Sequence, residues 1–167
     1  MLTVLAIAGT IAGMVQSALA LGVRVVGVHP DLVMIAAVSW CLLRGRREAL
    51  VFAAFGGLAL DMQSAGPLGL LTLATVAATL AASIGEINVF RTVASLPYVT
   101  IVTATAVYYL IVIMGVRLMG RPLALGPLLA TTVAPAMALN LVCMLPAYWL
   151  ARRFSGGLAP SSADWGA

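Results

Sequence analysis

The chain has no lysine, one histidine, two cysteines and five carboxylates among 167 residues, and only 8% of its side chains are charged. A soluble domain carries about 25% charged residues, so the polar surface needed to wrap a core in water is missing. The single histidine, His29, leaves no pair of imidazoles for a metal site. No G-x-S-x-G, H-E-x-x-H or Walker sequence is present to support nucleophilic, zinc or phosphate chemistry. Cys41 and Cys143 lie in apolar segments with no histidine or second cysteine nearby, which argues against a metal site or a disulfide framework. Asp31 and Asp61 lack the Tyr-Asp and Gly-x-Gly-Asp contexts of an intramembrane protease dyad, and no acidic array stands ready for Mg²⁺. These absences predict a protein that is not an enzyme and carries no metal and no cofactor.

What is present is apolar: 63% of residues are hydrophobic and the mean hydropathy is +1.12. Uncharged stretches cover 1–23, 62–85, 92–116 and 122–151, with shorter ones at 32–43 and 49–60. A spanning helix needs roughly 20 apolar residues, and four of these runs suffice. The sequence predicts an all-α polytopic membrane protein, with six helices at about 2–24, 31–44, 47–61, 67–86, 96–117 and 124–151 forming one domain, residues 1–154. Pro30, Gly66-Pro67-Leu68-Gly69, Pro97 and Gly120-Arg121-Pro122 mark the breaks, and Pro135 and Pro146 are expected to bend the sixth helix. Residues 155–167, rich in Gly, Ser and Pro, read as a disordered cytoplasmic tail. Ala18-Leu19-Ala20 has the form of a cleavage site, but no positive region precedes it and the apolar run is too long for a signal peptide, so 1–23 reads as the first span.

All nine basic residues are arginines, scattered between hydrophobic runs instead of forming a stripe. This suits anionic lipid and gives no nucleic-acid partner. With the N-terminus inside, Arg44, Arg46, Arg47, Arg91, Arg152 and Arg153 face the cytoplasm and Arg24, Arg117 and Arg121 the other side. Six against three puts both termini in the cytoplasm. Merging the second and third helices into one span would give five, but would bury the run from Arg44 to Glu48 in mid-bilayer.

From Asp31 to Asp61 the chain makes a hairpin about an arginine-rich turn, and two full spans would need roughly 40 residues. Each arm is expected to rise only about 20–22 Å. With the turn held at one interface, Asp31 and Asp61 would sink below the other, in a recess walled by the longer helices. A sunken carboxylate needs a partner, and Asp61 is expected to pair with Arg24 or Arg117, with His29 close by. Three uses stay open for the acids: an ion pair or helix cap within the bundle, a docking site for a partner protein, or a ligand or proton site. Asn140 is expected to hydrogen-bond across a helix interface, and Glu86 to reach Arg91 or Arg47. Gly9 and Gly13, Ala53 and Gly57, and Ala74, Ala78 and Ala82 recur at helical spacing. Such faces let helix backbones approach closely, within the bundle or against a partner's helix.

Pro30-Asp31-Leu32, a short apolar helix, Leu43-Arg44-Gly45, Gly57-Leu58-Ala59-Leu60-Asp61 and Gly66-Pro67-Leu68-Gly69 together resemble the rod shape-determining MreD family. The likeness is sharpest over residues 29–86, and Pro30, Asp31, Asp61, Gly66, Pro67 and Gly69 match its motifs. Arg46-Arg47 is more basic than the motif requires. The resemblance implies a bacterial inner-membrane scaffold of the cell-elongation machinery. Its partner would be MreC, a single-span protein, and through it RodA and a class B penicillin-binding protein; a homo-oligomer is left open. It also implies a six-helix fold like the substrate-binding subunits of energy-coupling-factor vitamin transporters. The competing reading is such a transporter subunit itself, which needs a recess lined with aromatic or hydrogen-bonding side chains; the outer loops here are poor in Trp and Tyr.

Overall fold

The structure, a computed structural model, describes residues 1–22, 28–87 and 96–155. They form helices α1 (Leu2–Gly22), α2 (Leu32–Arg44), α3 (Arg46–Gln63), α4 (Leu70–Ile87) and α5 (Leu96–Leu118). The sixth rod combines a short α6 (Leu125–Leu128), a π-helical turn (Leu129–Val133) and α7 (Ala134–Ser155). The expected all-α architecture and the count of six rods are both present. Three rods contain stretches long and apolar enough to cross a membrane, Leu2–Leu19, Pro97–Leu118 and Leu125–Arg153, while α2 and most of α4 are shorter apolar helices.

Several boundaries differ from the sequence reading for local reasons. α4 starts at Leu70, not 67, because Gly69 adopts φ +94°, outside the helical region, and Leu70 N–H closes a turn onto the Pro67 carbonyl at 3.3 Å. α3 continues past Asp61 to Gln63. The hairpin arms are therefore unequal: α2, with 13 residues, rises about 20 Å, and α3, with 18, about 27 Å. The π turn lies just ahead of Pro135; in a regular α-helix the proline ring would crowd the carbonyl of Thr131, and a wider turn there relieves this. Pro146 stays inside α7. The last helix reaches Ser155, and residues 156–167, expected as a tail, lie outside the described residues.

α2 is the central post. It packs on α1, α3, α4, α5 and α7, and its apolar residues divide between two cores. Val33 and Ala37 join Phe52, Ala53 and Leu60 of α3. Met34, Ile35 and Val38 join Ala74, Ala78 and Ala82 of α4, Ile101, Ala104 and Tyr108 of α5, and Met144 of α7. A helix that is hydrophobic all round is one that the fold surrounds.

The turn between α2 and α3 is a single residue, Gly45, at φ +94°. Glu48 braces it, accepting from Trp40 Nε1 at 3.0 Å and pairing with Arg44 Nε at 3.4 Å. Met1 Sδ lies 3.7 Å from Arg44 Nη2, so the chain begins at this end. α7 passes Asp31 at Asn140 and Ser39 at Met144, so it too runs toward the turn. We call this the turn end; Asp31 and Asp61 mark the opposite, acid end.

Small residues set the tightest packing. A Cβ on Gly9 would sit 2.5 Å from the Phe52 carbonyl oxygen, and one on Gly13 2.6 Å from that of Gly56. A Cβ on Gly57 would meet Thr72 Cα at 2.7 Å. The faces singled out in sequence are thus used inside the fold: Gly9 and Gly13 against α3, Gly57 against α4, Ala53 in one core and Ala74, Ala78 and Ala82 in the other.

The outside of the fold is apolar. Val4, Ile7, Ile11 and Met14 of α1, Leu110 and Met114 of α5, and Val142 and Leu145 of α7 are all exposed. Gln16, Asp31, Ser39, Asp61, Thr75, Thr79, Thr105 and Asn140 are buried. Ser39, Thr75, Thr79 and Thr105 return their hydroxyls to carbonyls one turn back, which satisfies them without water.

Candidate functional site: two buried aspartates at the acid end

Residues far apart in sequence gather at the acid end: Pro30 and Asp31 before α2, Asp61 in the last turn of α3, and Gly66, Pro67 and Gly69 before α4. Asp31 is 4% exposed and Asp61 1%. An isolated carboxylate at such depth is costly unless it is hydrogen-bonded. Each meets that need differently.

Asp61 reaches across to the start of α4. Its Oδ1 accepts Leu71 N–H at 2.9 Å, and its Oδ2 accepts Thr72 N–H at 2.8 Å together with the Thr72 hydroxyl. The flanking N–H groups of Leu70 and Leu73 go to the carbonyls of Pro67 and Gly69. The first four N–H groups of α4, which a helix leaves without internal partners, are thereby all satisfied. A negative charge at this position also meets the positive end of the helix dipole. The expected pairing of Asp61 with Arg117 does not occur, because backbone and hydroxyl donors already occupy both oxygens. Arg117 is exposed in the last turn of α5, and Arg24 lies outside the described residues.

Asp31 holds the N-cap position of α2, but its carboxylate makes no capping bond. A side chain that sequence reasoning passed over supplies the cap. Gln16 of α1 accepts Val33 N–H on Oε1 at 2.8 Å and donates from Nε2 to Asp31 Oδ1 at 3.0 Å. Asp31 N–H in turn donates to Asn140 Oδ1 at 3.0 Å, and Asn140 Nδ2 lies 3.4 Å from Thr105 Oγ1. Four helices are linked through this chain: α1 by Gln16, α2 by Asp31, α7 by Asn140 and α5 by Thr105. The interhelical bond expected of Asn140 is thus present. The signal for Gln16 was its side-chain amide, the only one in an α1 whose other polar residues are the hydroxyls of Thr3, Thr10 and Ser17.

His29, next to this network in sequence, keeps its Nδ1 buried without a hydrogen-bond partner. The side chain of Glu86 and the whole of Arg91 lie outside the described residues, so their expected pairing does too. Among the described residues no cluster of three or more His, Cys, Asp or Glu side chains is placed to hold a metal ion.

Two cavities accompany the site. The larger, about 480 Å³, opens between α1 and α7 and has α2 as its floor; Ala8, Ala12, Leu32, Ala36, Cys143 and Ala147 contribute to its lining. The smaller, about 210 Å³, lies at the acid end between the α3–α4 turn and the end of α5. Comparison with family models, with curated proteins and with solved structures gave no significant match for this chain.

Proposed function

We propose that the chain is a polytopic membrane scaffold of the bacterial elongation machinery, of the MreD kind, that seats the span of a single-pass partner such as MreC. RodA and a class B penicillin-binding protein would then be reached through that partner. The observation that carries the reading is the gathering of the motif residues. Pro30, Asp31, Asp61, Gly66, Pro67 and Gly69, the positions of the family resemblance, meet at one end of a hairpin whose acids hold helix starts together. The motif acids thus serve two helix joints at the same end of the fold, with no catalytic role required of them.

Support for the membrane setting comes from the apolar exterior and buried polar groups, the arrangement that suits hydrocarbon as solvent. Arg44, Arg46, Arg47, Arg152 and Arg153 belong to the turn end, against Arg117 and Arg121 at the acid end. By the excess of arginine in short loops, the turn end and both chain ends would face the cytoplasm, in a bacterial inner membrane.

The partner's span would lie in the groove between α1 and α7. The glycine face of α1 is already closed by α3, so that seat is taken. Leu32, Ile35 and Ala36 of α2 floor the groove, and its alanines allow a helix backbone to come close. Photo-crosslinkers at Ala12 and Ala147, compared with Leu73 and Leu80 on the exposed face of α4, test this in cells that also express the partner. Adducts from the first pair alone are expected. Adducts from α4 alone would move the seat, and a copurifying vitamin-like molecule in place of a single-span protein would favour the transporter subunit.

A further inference from the structure

The smaller cavity at the acid end is walled by Pro67, Leu70, Val112, Val116 and Met119, and Arg121 is the charged residue among its described lining. At about 210 Å³ it lies below the roughly 300 Å³ at which pockets for whole small ligands begin. It suits a segment of hydrocarbon chain. Met62, Leu68 and Leu118, in the segments that flank it, are exposed and apolar, alongside the exposed Gln63, Arg117 and Arg121.

The charge at this end is one-sided. Both acids here are buried and held by their own chain, Asp31 by Gln16 and Asp61 by Leu71 and Thr72. The exposed charges among the described residues at this end are Arg117 and Arg121, both positive. A guanidinium pairs with phosphate through parallel N–H donors, and next to surplus positive charge a net-anionic headgroup is favoured over a zwitterionic one, whose choline cation is repelled.

We propose that this notch binds an anionic membrane lipid, with its phosphate on Arg121 and the upper part of one acyl chain between Pro67, Leu70, Val112 and Val116. Charge complementarity selects the headgroup, and the apolar walls select a lipid over a free anion. The inference rests on the membrane setting proposed above but not on the scaffold role, and the test below does not involve the partner.

The full chain in mild detergent is titrated with dioleoyl phosphatidylglycerol and dioleoyl phosphatidylcholine, and bound lipid is counted by native mass spectrometry. A second arm measures thermal protection by inorganic phosphate. Preferential retention of phosphatidylglycerol is expected, with affinity lowered roughly tenfold by Arg121→Gln, lowered also by Val116→Phe, and unchanged by Arg46→Gln at the opposite end. Equal retention of the two lipids would overturn the proposal, as would a preference that survives Arg121→Gln or falls equally with Arg46→Gln. Protection by phosphate alone would overturn it as well, in favour of a free-anion site.

Discussion

Asp61, in the last turn of α3, caps α4 by accepting the Thr72 backbone N–H at 2.8 Å and the hydroxyl of the same residue. With Leu71 N–H on its other oxygen, it is the joint between the two helices. Asp61→Ala would leave two half-buried N–H groups and the Thr72 hydroxyl without their acceptor, and each loss costs up to about 1–3 kcal/mol. We expect a loss of roughly 3 kcal/mol in detergent unfolding. Asp61→Asn keeps one acceptor oxygen and should lose about half as much. Equal stability of all three proteins would mean that the joint does not hold the bundle.

The mirror-image device at α2 should behave as a coupled unit. Gln16 both caps Val33 and holds Asp31, so Gln16→Leu removes an acceptor from a buried N–H and a donor from a buried carboxylate. A loss of about 2–4 kcal/mol is expected. Asp31→Asn should cost less, since an amide oxygen can still receive Gln16 Nε2. In a double-mutant cycle the two changes should be non-additive by about 0.5–3 kcal/mol. Strict additivity of their unfolding free energies would show that the contact contributes little.

These two joints mark how far the sequence could be read. Helix positions followed from apolar run lengths and from Pro30, Gly66-Pro67 and Pro97, because chain breaks are local chemistry. That Asp31 and Asp61 mark one end of the fold followed from the hairpin, but α3 runs on past Asp61 and the burial of both acids comes from packing within the fold. Their partners did not follow. Charge counting offered arginine, whereas in the fold Asp61 meets the N–H groups of Leu71 and Thr72 and Asp31 meets Gln16. Backbone donors carry no sequence signature, and which helix start faces which acid is decided by tertiary packing. Likewise the spacing of Gly9 and Gly13 announced a close helix contact without naming α3 as the neighbour.

That contact gives a steric prediction. A methyl at Gly13 would meet both the Gly56 carbonyl oxygen at 2.6 Å and Ala59 Cβ at 2.7 Å, and neither atom can swing away. Gly13→Ala should therefore destabilise by about 1–3 kcal/mol through overpacking. Gly126, with nothing within 4 Å of a Cβ, provides the control: Gly126→Ala should fall within about 0.5 kcal/mol of the parent. The comparison is read from midpoints of thermal aggregation in one detergent. A larger loss at Gly126 than at Gly13 would contradict the α1–α3 packing.

Arg47 stands at the turn end and Arg121 at the acid end, and both are exposed. In a background carrying Cys143→Ala, with Cys41 fully buried in α2, single cysteines at these two positions and at Thr3 report sidedness through a membrane-impermeant maleimide. The arginine excess at the turn end places Arg47→Cys and Thr3→Cys inside, so both should label only after the membrane is opened. Arg121→Cys should label in intact spheroplasts. The distance from Met1 Sδ to Arg44, 3.7 Å, requires Thr3 and Arg47 to behave alike whichever way the protein is inserted. If those two label from opposite sides, the packing of α1 beside the hairpin is wrong. If all three labels invert together, the fold stands and only the orientation drawn from charge is lost.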